Sequence, residues 1–276
     1  MNGTPHFIDV EENSLGVDFK KLDIYLNKIS IKKNKRCFNK KTKKIIKAIV
    51  VTHVFGHPCN LKMAKKICKK YNLILIEDAA EALGSYYKKK HLGTFGSIGI
   101  LSFNGNKIIT TGGGGAVLTN NSKIAKKINH ISRNSRVKKY FWDYSHNELG
   151  FNFRLPSLNA NLGIAQIKNL NLFLRNKRKL FERYQMLFSN FNDFELLKEP
   201  KNAKSNYWLN AIILKKPSKE IILKILKLSA KKKIQLRPVW KILSKNKYLN
   251  KFPRMNLDCA NNLENRIINI PSSSDL

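Results

Sequence analysis

Between residues 77 and 115 the chain carries side chains whose types and order could hold and work an aldehyde cofactor. Ser102-Phe103-Asn104-Gly105-Asn106-Lys107 is followed by Thr110-Thr111 and a glycine run from Gly112 to Gly115. Upstream, Glu77-Asp78-Ala79-Ala80 closes an apolar stretch. A loop amine can condense with an aldehyde, and an acid at a strand end can pair with a pyridinium nitrogen. A hydroxyl and glycine-rich backbone can take a phosphate. These are the parts that pyridoxal phosphate requires. Each is common alone; their combination in this order predicts a cofactor-dependent transferase.

The elements that must position these groups read as alternating strands and helices. Residues 7–10 predict a short strand, and Phe19, Leu22, Ile24, Tyr25, Leu26 and Ile29 give a helical apolar stripe. The lysine-rich stretch 32–44 reads as an exposed loop, and the β-branched run 45–51 as a buried strand. A turn at Gly56-His57-Pro58 leads to an amphipathic helix over 61–71, with Asn60 placed to cap it. Strands follow at 73–76, 98–103 and 116–119, and a helix starts near Ser122. This alternation predicts an α/β layer architecture with a mixed, mostly parallel sheet and flanking helices. Ligands of such sheets gather at strand ends, where Asp78 and Lys107 fall. Residues 158–188 read as one long helix, followed by a strand at 207–214, a helix at 219–228 and a short segment at 234–236. The expected division is a large domain over 1–156 and, over 157–276, a connecting helix with a smaller α/β domain.

Charge is the other conspicuous property. Fifty-three Lys and Arg against 18 Asp and Glu give a formal net charge of +35. The lysines are spread along the chain rather than gathered on one motif, which reads as solvated faces. No helix-turn-helix, zinc-finger or RNP-like signature accompanies them, so no specific nucleic-acid partner is expected. Such a charge would still draw in phosphorylated ligands. Cys37, Cys59, Cys68 and Cys259 show neither a CxxC pair nor zinc spacing. His57 near Cys59 lacks a second ligand pair, so no metal is expected. Reduced thiols in a cytosol follow, and neither a secretory signal nor a membrane-length apolar run is found. His53 is left open between a core histidine and a cofactor contact.

At these residues the sequence resembles the DegT/DnrJ/StrS family of pyridoxal-phosphate sugar aminotransferases. The resemblance runs along nearly the whole chain: residues 49–56, 77–84, 102–115 and the glycine–aromatic–asparagine–aromatic–arginine element Gly150-Phe151-Asn152-Phe153-Arg154. The strings SNYWLN at 205–210 and RPVW at 237–240 are similar to its nucleotide-sugar 4-aminotransferase branch of the legionaminic-acid type. The resemblance implies a fold-type-I transferase in which Lys107 forms the internal aldimine with pyridoxal 5'-phosphate and then shuttles the proton. It implies that Asp78 pairs with the ring nitrogen, that Ala80 lies against the ring, and that Ser102 bonds the phosphate. Asn152 would reach the phosphate of a second subunit's site, which makes a homodimer the expected unit. Glu81 stands near the ring hydroxyl, where the family often carries glutamine or histidine, and Arg237 would meet the anionic substrate. Implied substrates are an amino acid, glutamate, and the 4-keto group of a nucleotide-linked deoxy N-acetyl sugar, for surface-polysaccharide or nonulosonate synthesis. Lys107 also distinguishes the chain from the related dehydratases, where a histidine takes that place.

One departure bears on all of this. The family's phosphate-binding glycine-threonine turn, first strand and ring-stacking aromatic lie ahead of the strand that residues 7–10 resemble, and no equivalent is found here. A split or truncated enzyme, inactive or complemented by another polypeptide, is therefore the rival expectation. Its mark would be an apolar patch and open strand edges.

Overall fold

The computed structural model of the chain describes residues 3–137 and 140–276. Phe7 and Val10 make single bridges, to Arg254 and Val17, in place of the expected strand. No described strand lies beside them to complete a ladder. Helix α1 (Phe19–Ile29) starts at Asp18, whose carboxylate accepts the Lys20 and Lys21 N–H groups, and buries Phe19, Leu22 and Leu26 along one face. The lysine-rich stretch expected as a loop instead folds as a hairpin. Strands β1 (Ser30–Lys33) and β2 (Arg36–Asn39) pair antiparallel, and β3 (Ile45–Ile46) extends them. Asn34 and Lys35 turn the chain with positive φ, as a two-residue hairpin turn requires. In β2, Cys37 and Asn39 point inward while Arg36 is exposed.

The central sheet has the order β4-β5-β8-β9, made of β4 (Ala48–Thr52), β5 (Ile74–Asp78), β8 (Ile98–Ser102) and β9 (Gly115–Leu118). The first three are parallel and β9 is antiparallel. Helix α2 (Leu61–Tyr71), capped by Asn60 as expected, links β4 to β5. The small hairpin β6 (Tyr86–Tyr87) and β7 (Lys90–His91) lies between β5 and β8. One face of the sheet offers Ile49, Val51, Leu75 and Leu101 to α1 and α2, which supply Leu22, Leu26, Ala64 and Ile67. The opposite face is uncovered: Val50 is 55% exposed, Ile74 38%, Ile100 39% and Val117 46%. The outer edge of β4 pairs with no described strand. Lys47 C=O and His53 N–H bond to β5. Alternation therefore turns the backbone groups of Ala48, Val50 and Thr52 to the open side. An apolar cavity of about 1190 Å³, bordered by Phe7, Ile8, Leu26 and Val50, runs along that edge.

Helix α3 (Ser122–Ile131) follows the sheet. The long helix expected over 158–188 is two helices, α4 (Ser157–Lys168) and α5 (Leu170–Leu187), separated at Asn169, whose ψ of 0° ends the first. An antiparallel sheet of order β10-β12-β14-β13 comes next. It joins β10 (Phe194–Leu196), β12 (Asn210–Leu214), β13 (Arg237–Pro238) and β14 (Ile267–Ile270), with α6 (Lys219–Lys231) and α7 (Asp258–Glu264) alongside. Helices α5 and α6 pack on it through Phe181 and Ile222. Several contacts cross residue 156: β11 (Ala203–Lys204) pairs with β6, and Asp9 accepts the Ala260 N–H. A shared cluster joins Leu15, Phe55, Ile108 and Ile109 to Trp208, Ala211 and Ile267. Among the described residues, no helix is long and apolar enough to cross a membrane, and no cluster of side chains could hold a metal. The four cysteines are free.

Candidate active site

Strand alternation separates the two acids that close β5. Glu77 points into the packed face and is fully buried. Its carboxylate accepts from His53 Nε2 at 3.1 Å and from the backbone N–H groups of Gly93, Phe95 and Gly96 at 2.9, 2.6 and 2.6 Å. Burial pushes the Glu77 pKa up, but the His53, Gly96 and Gly93 bonds outweigh it and hold the group below its ordinary value. His53 Nδ1 accepts the Cys59 N–H, so His53 is a satisfied core histidine. Asp78 points to the opposite face. Register places Thr52 and Ile100 beside it there, and Ser102, two residues beyond Ile100, shares that face. The Ala80 N–H donates to Asp78 Oδ1 at 3.2 Å and fixes the carboxylate at the strand end.

Lys107 lies on the loop between β8 and β9 and is largely enclosed. Its Nζ is 3.7 Å from Glu81 Oε1 and 3.9 Å from the centroid of the Trp208 ring. The indole covers the amine as a cation–π partner. Burial raises the Glu81 pKa, and the charge of Asp78 adds to this; the Phe55 N–H and Lys107 oppose it. Glu81 is thus the group that feels both Asp78 and Lys107. Phe55 donates to Glu81 Oε2 at 2.9 Å from a left-handed backbone, φ 56°, a conformation that costs a non-glycine residue about 1–2 kcal/mol.

The segment SNYWLN closes the site from the other half of the chain. Asn206 donates its amide to the carbonyls of Glu81 and Leu83 at 2.8 and 2.9 Å and accepts the Trp208 N–H at 2.9 Å. Gly56 is required beneath it: φ is +90°, and a Cβ would come within 1.8 Å of Asn206 Oδ1. Trp208 Nε1–H donates to the Asn106 carbonyl at 2.7 Å, next to Lys107. The Trp208 ring stacks on Trp240, and Trp240 meets Phe55. His57 is hydrogen-bonded to Ser205 at 2.8 Å, and its burial lowers its pKa to about 4.

The structure therefore brings Asp78, Ala80, Glu81 and Lys107 together, with Ser102 on the same sheet face. Ser102 Oγ accepts the Asn104 N–H at 3.3 Å. Asn152 is bridged to Arg133 at the end of α3, and no described contact carries it to Lys107. Arg237 is exposed on β13, three residues before Trp240. Sequence reasoning quoted Trp208 and Asn206 as parts of a string without giving them a role. It missed the Glu77 anchor altogether.

Pyridoxal phosphate fits this donor set. The amine is enclosed beside an acid and under an aromatic ring, and Asp78 and Ser102 lie on one face at the C-terminal ends of neighbouring parallel strands. A mixed, mostly parallel sheet with flanking helices and a smaller antiparallel sheet is the architecture of the fold-type-I pyridoxal-phosphate transferases, and an amine, an acid and a hydroxyl so placed on it suit their cofactor. A sequence pattern described as that of the DegT/DnrJ/EryC1/StrS aminotransferase family matches residues 1–276, and the chain belongs to that family. Its aminotransferases depend on pyridoxal phosphate.

Similar sequences include GDP-perosamine synthases and UDP-4-amino-4,6-dideoxy-N-acetyl-beta-L-altrosamine transaminases. GDP-perosamine synthase of Escherichia coli O157:H7 is 35% identical over 233 residues, covering 83% of this chain and 61% of that protein. UDP-4-amino-4,6-dideoxy-N-acetyl-beta-L-altrosamine transaminase of Campylobacter jejuni is 36% identical over 208 residues, covering 75% and 52%. The chain thus spans about half to three fifths of the length of these relatives. Among solved structures, Helicobacter pylori PseC, an aminotransferase involved in pseudoaminic acid biosynthesis, superposes with a TM-score of 0.84 at 26% identity. That match covers 97% of this chain and 68% of PseC.

Proposed function

We propose that the protein is a pyridoxal-phosphate aminotransferase of nucleotide sugars. It moves an amino group from an amino acid, glutamate, to the 4-keto group of a nucleotide-linked deoxy N-acetyl sugar, in a bacterial cytoplasm. The observation that carries this reading is the enclosed Lys107 amine between Glu81 and Trp208, with Asp78 near enough to act on Glu81. When bound, the cofactor supplies an electrophilic carbonyl and an electron-withdrawing ring. Asp78 holds a proton on the ring nitrogen. Lys107 is the covalent anchor and the base that takes and returns the substrate proton. Glu81, kept from ionising readily by burial, supports that proton traffic, and Ser102 holds the phosphate. Trp208 excludes water from one side of the amine. Arg237 meets the anionic sugar nucleotide from the rim, and Asn152 serves the site of a second subunit in a homodimer.

The test is a visible spectrum of purified protein with pyridoxal phosphate, before and after borohydride, with Lys107→Ala alongside. The expected result is a long-wavelength band that borohydride converts into a covalent adduct at Lys107 and that Lys107→Ala lacks. A normal band in Lys107→Ala would overturn the assignment.

A second reading is favoured by the uncovered sheet face and the free edge of β4. Parallel sheets are ordinarily covered on both faces. On this reading the site works only when further polypeptide covers that face. Folded protein that shows no band alone, and gains it when the N-terminal portion of a relative is added, would favour it over the first.

A further inference from the structure

Lys177 on α5 is buried, 6% exposed, unlike the surface lysines that give the chain its charge. Its Nζ donates to the Trp208 carbonyl at 3.1 Å and to the Ser272 carbonyl. Burial pushes its pKa down to about 8, against the opposing charge of Asp275. A buried amine costs stability that an apolar side chain of the same length would not, so its retention calls for a reason.

The reason lies in what it grips. Trp208 is held at its N–H by Asn206, at its indole N–H by the Asn106 carbonyl, and through its ring by Trp240. Its carbonyl is the remaining anchor, and Lys177 takes it. The ring so fixed lies 3.9 Å from Lys107 Nζ. We propose that Lys177 is a positioning residue: by fixing the Trp208 carbonyl it holds the indole against Lys107 and sets where the Lys107 amine points. The significance of that aim rests on Lys107 being the catalytic amine, whereas the geometry does not. Lys177 also ties α5 to the C-terminal segment through Ser272, whose hydroxyl accepts the Asn210 N–H that opens β12.

The experiment reads Lys107 itself, without cofactor. Trace acetylation with acetic anhydride at neutral pH, quantified by mass spectrometry at Lys107 against exposed lysines, is run on wild type, Lys177→Met, Trp208→Phe and the double variant. Each single change is expected to raise Lys107 labelling by about tenfold, the scale of about one hydrogen bond. The double variant is expected to add little, because both changes act on one contact. Multiplying effects, or wild-type labelling in folded Lys177→Met, would overturn the proposal. Lys177→Gln keeps an N–H donor for the carbonyl and is expected to restore wild-type labelling. If it labels like Trp208→Phe, the lysine is only filling space. Raised labelling with cofactor capture unchanged would count against the role of Lys107 and leave the anchoring untouched.

Discussion

The two faces of the central sheet are made by the same four strands and could hardly differ more. On one, Ile49, Val51, Leu75 and Leu101 are sealed by α1 and α2, and even an acid, Glu77, is buried with each hydrogen bond made. On the other, Val50, Ile100 and Val117 face outward, and Asp78 and Ser102 wait at the strand ends. The sealed face supplies rigidity, and the open face is where the proposed function places the chemistry. Neighbouring residues, Glu77 and Asp78, are divided between these tasks by nothing more than strand alternation. The two neighbouring acids are one structural anchor and, on the proposed function, one cofactor ligand.

The largest expected effects lie in that pair. Glu77→Ala leaves His53 and three backbone N–H groups without their acceptor, and should cost about 3–5 kcal/mol in chemical denaturation. Asp78→Asn should leave the denaturation midpoint near wild type and still bind cofactor, while cutting turnover roughly a hundredfold. Equal stability losses in both variants would erase the distinction between the faces.

Next come two buried bases, whose stability effects run in a stated direction. The pKa of His57 is lowered to about 4, so between pH 6.5 and 4 the unfolded chain binds the proton that the folded chain refuses. Stability should fall on acidification through that window by up to about 3 kcal/mol, and His57→Asn should lose this dependence. Lys177 titrates near 8 when folded, so its burial cost is fully present below that and is relieved as pH rises toward 10.5. The stability difference between wild type and Lys177→Met should move in favour of wild type by about 3 kcal/mol over that range. A flat difference would mean the amine is hydrated.

The smallest effect tests the bare face. Val50→Lys should change stability by no more than about 0.5 kcal/mol, whereas the same change at adjacent Val51 should unfold the protein. A large loss at Val50 would show that the face is covered in solution.

What was legible in the sequence was what local pattern carries. Asp78, Ser102 and Lys107 each follow a β-branched strand, and Asn60 heads a helix with a clear apolar stripe, so both site and scaffold could be placed. The hairpin at 30–39 was hidden because β1 is exposed on both faces from Ile31 to Lys33, so its lysines leave no period of two to read. The break at Asn169 was hidden because apolar residues continue on both sides. Trp208, Asn206 and Lys177 were beyond reach for another reason: their partners lie far along the chain, and only the fold brings them together.

That separation has a consequence during synthesis. Trp208 meets Asn106 across 102 residues, and Asn206 meets Glu81 across 125. At ribosomal speeds, Lys107 leaves the exit tunnel about 5 to 20 s before the indole that will cover it. For that interval the Lys107 amine of a nascent chain lacks its indole cover and differs little from the chain's other lysines. The covering indole is thus translated well after the amine it covers.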